Sequence, residues 1–140
     1  MQRYFEDVKV NDELEPLERI PTADMALDFF GRDNPTNPAF ADAEAGKRMG
    51  IAGALVPGLL KLAWVTHYVG AWAGSEGTVR NLRVAYRRPD VAGNPLVLAG
   101  RVVDLRQEDG RNVVELEVVT LAEGEPSTRA TVQVELPSRG

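Results

Sequence analysis

Pro57-Gly58-Leu59-Leu60-Lys61-Leu62-Ala63-Trp64-Val65-Thr66-His67-Tyr68-Val69-Gly70-Ala71-Trp72 is the stretch on which the fold turns. It is long enough for about four helical turns. Proline is tolerated in the first of these, where its missing N–H had no partner in any case. Leu59, Leu60, Ala63, Trp64, His67, Tyr68 and Ala71 make the helix apolar almost all round, and Lys61 is its one charge. A helix of that kind is normally buried among other elements rather than laid on a surface. His67 belongs to its apolar face, where a hydrogen-bonded core histidine is expected, with a functional one as the alternative.

Beyond Gly74 the hydrophobic period changes from that of a helix to two. Thr78 to Arg88, Leu96 to Gln107, Val113 to Leu121 and Ser127 to Leu136 read as four strands. Pro89 to Pro95, Glu108 to Arg111 and Glu123 to Pro126 separate them, and Asp109-Gly110 is a strong hairpin signal because glycine supplies the positive φ. Successive strands joined by short turns predict an antiparallel sheet, and the long helix is the natural body for it to wrap. On the N-terminal side, Leu14 to Ile20 reads as an opening strand closed by Pro21. Thr22 is a candidate N-cap for a helix carrying Asp24, Met25, Ala26, Phe29 and Phe30 and ending at Gly31. Arg32 to Ala41, with two Asn-Pro pairs, is turn-forming. Asp42 can cap a short helix running to Met49, with Gly50 as its stop. No repeat, low-complexity tract or linker interrupts the chain, so residues 1–140 are expected to form one α+β domain.

Composition narrows the chemistry. The chain has 140 residues, 44% of them hydrophobic and 26% charged, the balance of a globular domain with room for a core. With no cysteine and one histidine, disulfides, thiolate catalysis and His/Cys metal sites are excluded or improbable. A formal net charge of −5 argues against nucleic acid as the main partner. Ser75, Ser127 and Ser138 lie in no nucleophile-elbow context, and Gly50, Gly53 and Gly58 match no phosphate-binding loop. Residues 1–7 have no apolar signal core, and Ile51 to Ala73 is broken by Pro57, Lys61 and His67, so no membrane span is expected and the cytoplasm is the expected location.

One stretch carries a family resemblance. Asn37-Pro38-Ala39-Phe40-Ala41-Asp42, then Gly50, then Leu55-Val56-Pro57-Gly58-Leu59 resembles the hydratase motif of MaoC-like proteins, roughly D-x-N-P-I/L-H-x-D, then G-F/Y, then I-x-H-G-M. The interval from Asp42 to Gly58 matches the family's. Tyr4 to Leu14 is similar to the family's usual opening, and Tyr68 to Gly74 to the end of the central helix in bacterial hydroxyacyl-thioester dehydratase subunits. The resemblance covers most of the chain. It implies a hotdog fold, an antiparallel sheet wrapped around a long central helix, and no cofactor beyond the CoA or acyl-carrier thioester that carries the substrate.

The family's reaction, hydration of an enoyl thioester, uses an Asp/His dyad to hold and deprotonate water and a backbone N–H at the start of the central helix to polarise the thioester carbonyl. Gly58 matches the glycine that supplies this N–H. The dyad positions, by contrast, fall on Pro35 and Phe40, and the histidine preceding the glycine is Pro57. Asp33 and Asn34 lie just upstream; they are either catalytic, with Asp33 as a lone base, or loop residues bonding their own turn. Asn37, Phe40, Pro57, Leu59, Ala63 and Trp64 are the expected substrate-binding set, lining an apolar groove for the acyl chain, with a purely core role as the alternative for Ala63 and Trp64. Arg80, Arg83, Arg87 and Arg88 form a basic strip suited to the carrier's phosphates or simply to a solvated strand.

What the resemblance implies is a component of an enoyl-thioester hydratase or 3-hydroxyacyl-thioester dehydratase, the non-catalytic half that shapes the acyl tunnel beside a catalytic MaoC-like subunit. The alternatives are a self-sufficient hydratase using Asp33, and an acyl-thioester or lipid-binding hotdog dimer without turnover.

Overall fold

The computed structural model describes residues 1–30, 38–40 and 42–140. In chain order the elements are β1 (Glu13–Arg19), α1 (Ala23–Phe30), α2 (Ala43–Arg48), α3 (Gly58–Ala73), β2 (Thr78–Tyr86), β3 (Leu96–Glu108), β4 (Arg111–Ala122) and β5 (Glu125–Glu135), with short 3-10 turns at Phe5–Asp7 and Pro38–Phe40. The caps expected of the first half are present. The Thr22 hydroxyl accepts from the Met25 amide at 3.2 Å, and the Asp42 carboxylate accepts from the Glu44 amide at 2.9 Å.

The strands form one antiparallel sheet in the order β1-β3-β4-β5-β2. Both central hairpins turn through two residues of positive φ, Asp109 (51°) with Gly110 (77°) and Glu123 (53°) with Gly124 (79°). That backbone matches the right-handed twist of the flanking strands. β2 stops two residues before its expected end because the Arg87 and Arg88 amides both turn to the Ser127 carbonyl, at 2.8 and 3.1 Å.

α3 lies against the inner face of the sheet, where Val65, Tyr68, Val69 and Ala73 pack with Leu98, Val102, Val114, Leu116, Val118, Val132 and Val134. Each such aliphatic side chain contributes about 1.5–3 kcal/mol when fully buried. The N-terminal segment secures the far end of the helix. The Arg3 amide and the Gln2 side chain donate to the Ala73 carbonyl, and the Arg3 guanidinium donates to the Trp72 carbonyl while stacking on its ring. Carbonyls that a helix end leaves unpaired are satisfied in this way.

Two expectations are corrected here. α3 is not enclosed on all sides: Leu59 is 53% exposed, and Ala63, Thr66 and His67 are exposed with it. His67 is therefore a surface residue and not a core histidine. The sheet covers one side of α3, and the described residues of the first half do not reach over this one. The sheet edges also differ. β1 is short, contains Pro16 and slips in register between Leu14 and Leu17, whereas β2 pairs continuously with β5 from Asn81 to Tyr86. Among the described residues no helix is long and apolar enough to cross a membrane.

Candidate functional site

Residues 50–57 deliver the chain to the start of α3 and are held from two sides by three backbone hydrogen bonds. The Leu55 amide donates to the Ala39 carbonyl, the Val56 amide to the Asp90 carbonyl, and the Ala92 amide to the Ala54 carbonyl, each at 2.8 Å. Leu55 and Val91 form an isolated antiparallel bridge. The Phe40 turn and the β2–β3 connection thus meet on either side of the segment that precedes Gly58.

At the helix start the Leu60 and Lys61 amides both donate to the Pro57 carbonyl. The Gly58 and Leu59 amides have no acceptor among the described residues. They stand at the positive end of a sixteen-residue helix, where a developing oxyanion is favoured. The ring of Tyr86 lies against Gly58, and its hydroxyl donates to the Gly58 carbonyl at 2.9 Å. A Cβ on Gly58 would sit 2.9 Å from Tyr86 Cζ, so it is this ring that uses the space left by the missing side chain. Burial pushes the Tyr86 phenol above its ordinary value, which keeps it a neutral donor. Beside it opens a hollow of about 260 Å³ lined by Leu55, Val56, Gly58, Lys61, Tyr86 and the Arg87–Pro89 turn.

Behind the hollow is a buried polar chain. Lys61, 2% exposed, donates from Nζ to Asp90 Oδ2 at 2.9 Å, and Asp90 is 4% exposed. The same carboxylate oxygen accepts from Ser127 Oγ at 2.6 Å, and Ser127 is bonded to Thr120 Oγ1 at 2.9 Å. Lys61 Nζ also lies 5.4 Å from the centre of the Tyr86 ring.

No protein-family model matches the chain, and no curated protein is detectably similar to it in sequence. Solved structures resemble it in fold. The MaoC-like dehydratase of Rhodospirillum rubrum superposes with a TM-score of 0.83 at 20% identity, covering 99% of either chain. The (R)-hydratase of A. caviae involved in PHA biosynthesis gives 0.83 at 16% identity, over 94% of this chain and 99% of that one. The ChsH1–ChsH2 complex of Mycobacterium tuberculosis gives 0.80 at 17% identity, over 91% and 98%. The chain has the hotdog fold that these structures share. Identities this low carry the fold and nothing finer.

Within this fold the expected site residues divide. Gly58 and the buried Pro57 are at the helix start, and Phe40 is half-buried in the turn whose Ala39 carbonyl is tied to Leu55. Trp64 is partly buried against the core, while Leu59 and Ala63 face outward. Asp33, Asn34, Pro35 and Asn37 lie outside the described residues. Asp42 is a helix cap. Arg80 pairs with Glu135 at 3.3 Å, Arg83 and Arg87 reach hollows on the side of the sheet away from α3, and Arg87 and Arg88 also border the hollow at Gly58.

Sequence reasoning passed over Lys61, Asp90, Ser127 and Tyr86. A lone lysine in an apolar helix was the available signal, since a charge there must find a buried partner. His67, nine residues beyond Gly58, stands about 13 Å away along the axis. Among the described residues no carboxylate or imidazole lines the hollow.

Proposed function

We propose that the chain is one component of an enoyl-thioester hydratase or 3-hydroxyacyl-thioester dehydratase, the half that shapes the acyl tunnel, and that a MaoC-like partner supplies the Asp/His dyad. The observation that carries this reading is the composition of the hollow at Gly58: a helix N-terminus, a phenol and cationic side chains, with neither a carboxylate nor an imidazole among the described residues that line it. Hydration forms a C–O bond at the β-carbon of the enoyl thioester and places a proton on the α-carbon. The Gly58 and Leu59 amides are suited to the enolate oxygen that develops between these events. Among the described residues that line the hollow none is a base for the proton of water, and a subunit bearing an intact D-x-N-P-x-H motif would provide one.

Further features agree with a two-subunit assembly. Leu59 and Ala63 are exposed in the isolated chain, and a partner laid over them would close a groove for the acyl tail. Arg87 and Arg88, at the rim, suit the phosphates of a CoA or carrier-protein arm. The ChsH1–ChsH2 structure, which shares the fold, is itself a complex.

The test is hydration of crotonyl-CoA by the purified chain, alone and with a co-expressed MaoC-like protein carrying the intact motif. The expected result is acyl-CoA binding without turnover alone, and turnover above the partner's own once the two are combined. Turnover by the isolated chain at ordinary enzyme rates, on the order of 10 per second, and its loss in Asp33→Asn, would replace this reading with that of a self-sufficient hydratase. Absence of acyl-CoA binding in both forms would overturn the thioester reading itself.

A further inference from the structure

A charged pair sealed from water is an expensive way to hold two elements together. Lys61 and Asp90 are 2% and 4% exposed, and removing each charge from water costs several kcal/mol that a well-packed apolar pair would not. The pair therefore calls for a role other than cohesion, and its connections indicate one. Lys61 is the fourth residue of α3, one turn from Gly58. Asp90 holds the approach to that helix twice: its carboxylate takes the Lys61 ammonium, and its carbonyl takes the Val56 amide. Through Ser127 and Thr120 the same carboxylate is tied to β5 and β4 in the buried interior of the sheet. The Lys61 ammonium also lies against the face of the Tyr86 ring, whose hydroxyl is bonded to the Gly58 carbonyl.

From this arrangement we infer that Lys61 is a positioning residue. Its ion pair with Asp90 fixes the first turn of α3, and with it the Gly58 and Leu59 amides and the Tyr86 ring, relative to the sheet. The inference rests on the proposed role of that helix start in holding a thioester carbonyl. Such geometry has functional weight, because a displacement of about 1 Å at a reacting centre can cost on the order of 100-fold.

The experiment compares wild type with Lys61→Met, which keeps most of the unbranched stem and removes the ammonium, and with the double variant Lys61→Met/Asp90→Asn, which also removes the charge stranded in the interior. Amide hydrogen exchange is followed at Val56, at Leu60 and at the backbone N–H of position 61, with Val102 and Val118 in the sheet as reference. Acyl-CoA affinity is measured on the same proteins.

The double variant is expected to regain most of the stability that Lys61→Met loses. Even so, its helix start still exchanges faster than wild type by about tenfold or more against an unchanged sheet, and it binds acyl-CoA more weakly, by up to about 100-fold. Two results would overturn the inference: exchange that accelerates equally in helix start and sheet, the mark of a merely structural pair, or a double variant in which first-turn protection returns to the wild-type level. Exchange is read without ligand. A wild type that fails to bind acyl-CoA therefore sinks the proposed function, while the exchange data still judge Lys61. If Lys61→Met does not fold, the double variant alone decides.

Discussion

Thr128 lies between Thr120 and Tyr86 in the β4–β5–β2 register, buried, with a hydroxyl that has no hydrogen-bond partner among the described residues. A buried polar atom left unsatisfied costs about 1–3 kcal/mol, and valine has the same shape without the cost. Thr128→Val should raise stability by about 1 kcal/mol, read as a higher denaturant midpoint at an unchanged slope. Tyr68 is the opposite case. Its hydroxyl donates to the Glu15 carbonyl at 2.7 Å, and burial, aided by the Glu15 charge, pushes its pKa up to about 12. A folded-state value above the ordinary 10 favours the native state fully below pH 10, and this contribution is lost as pH climbs toward 12. Tyr68→Phe should cost about 1 kcal/mol at neutral pH from the lost hydrogen bond, and its deficit should narrow in denaturation midpoints measured above about pH 10. At this scale the sequence was partly legible. Thr22 and Asp42 could be assigned, as caps, because each acts on its immediate neighbours. The Lys61–Asp90 pair could not, because twenty-nine positions separate its members and only the fold joins them.

Among the elements, α2 depends on a contact that tolerates no side chain. A Cβ on Gly46 would stand 1.8 Å from the Gly53 carbonyl oxygen, backbone against backbone, so neither partner can swing aside. Gly46→Ala should cost about 1–3 kcal/mol and loosen α2 from residues 50–57, seen as faster amide exchange at Ile51, whose N–H is bonded to the Gly46 carbonyl. The element boundaries were legible to within about two residues, since the apolar period and the Gly, Pro and Asp signals act along the chain itself. Periodicity could not say which side of α3 the sheet would leave open. An apolar residue meant for the core and one meant for a partner protein look the same in the sequence.

At the scale of the whole chain, that open side is the feature to test. Leu59, Ala63, Thr66 and His67 share it, next to an edge strand, β2, that has no proline to blunt it. His67→Glu puts a better helix former on the surface and should leave helicity and melting no lower than wild type. If the proposed catalytic partner covers this face, the variant should also abolish co-purification with it, since it would place an unpaired charge within the joined surface. The α+β architecture was legible from the order of elements. The proposed partner subunit was expected only from the family resemblance, because a single chain records no more than its own half of an interface. The strand order has a further consequence, for synthesis. β3, β4 and β5 close on one another through two-residue turns, whereas β1 pairs Glu13 with Arg101 and β2 pairs Thr78 with Glu135. Short loops close at lower entropic cost, so the C-terminal meander forms first and the outer strands join it. A chain that has left the ribosome only as far as Pro95 therefore presents the apolar surface of α3 with no sheet to receive it. Its greatest exposure to aggregation and to chaperones comes during translation, before the hairpins that follow have emerged.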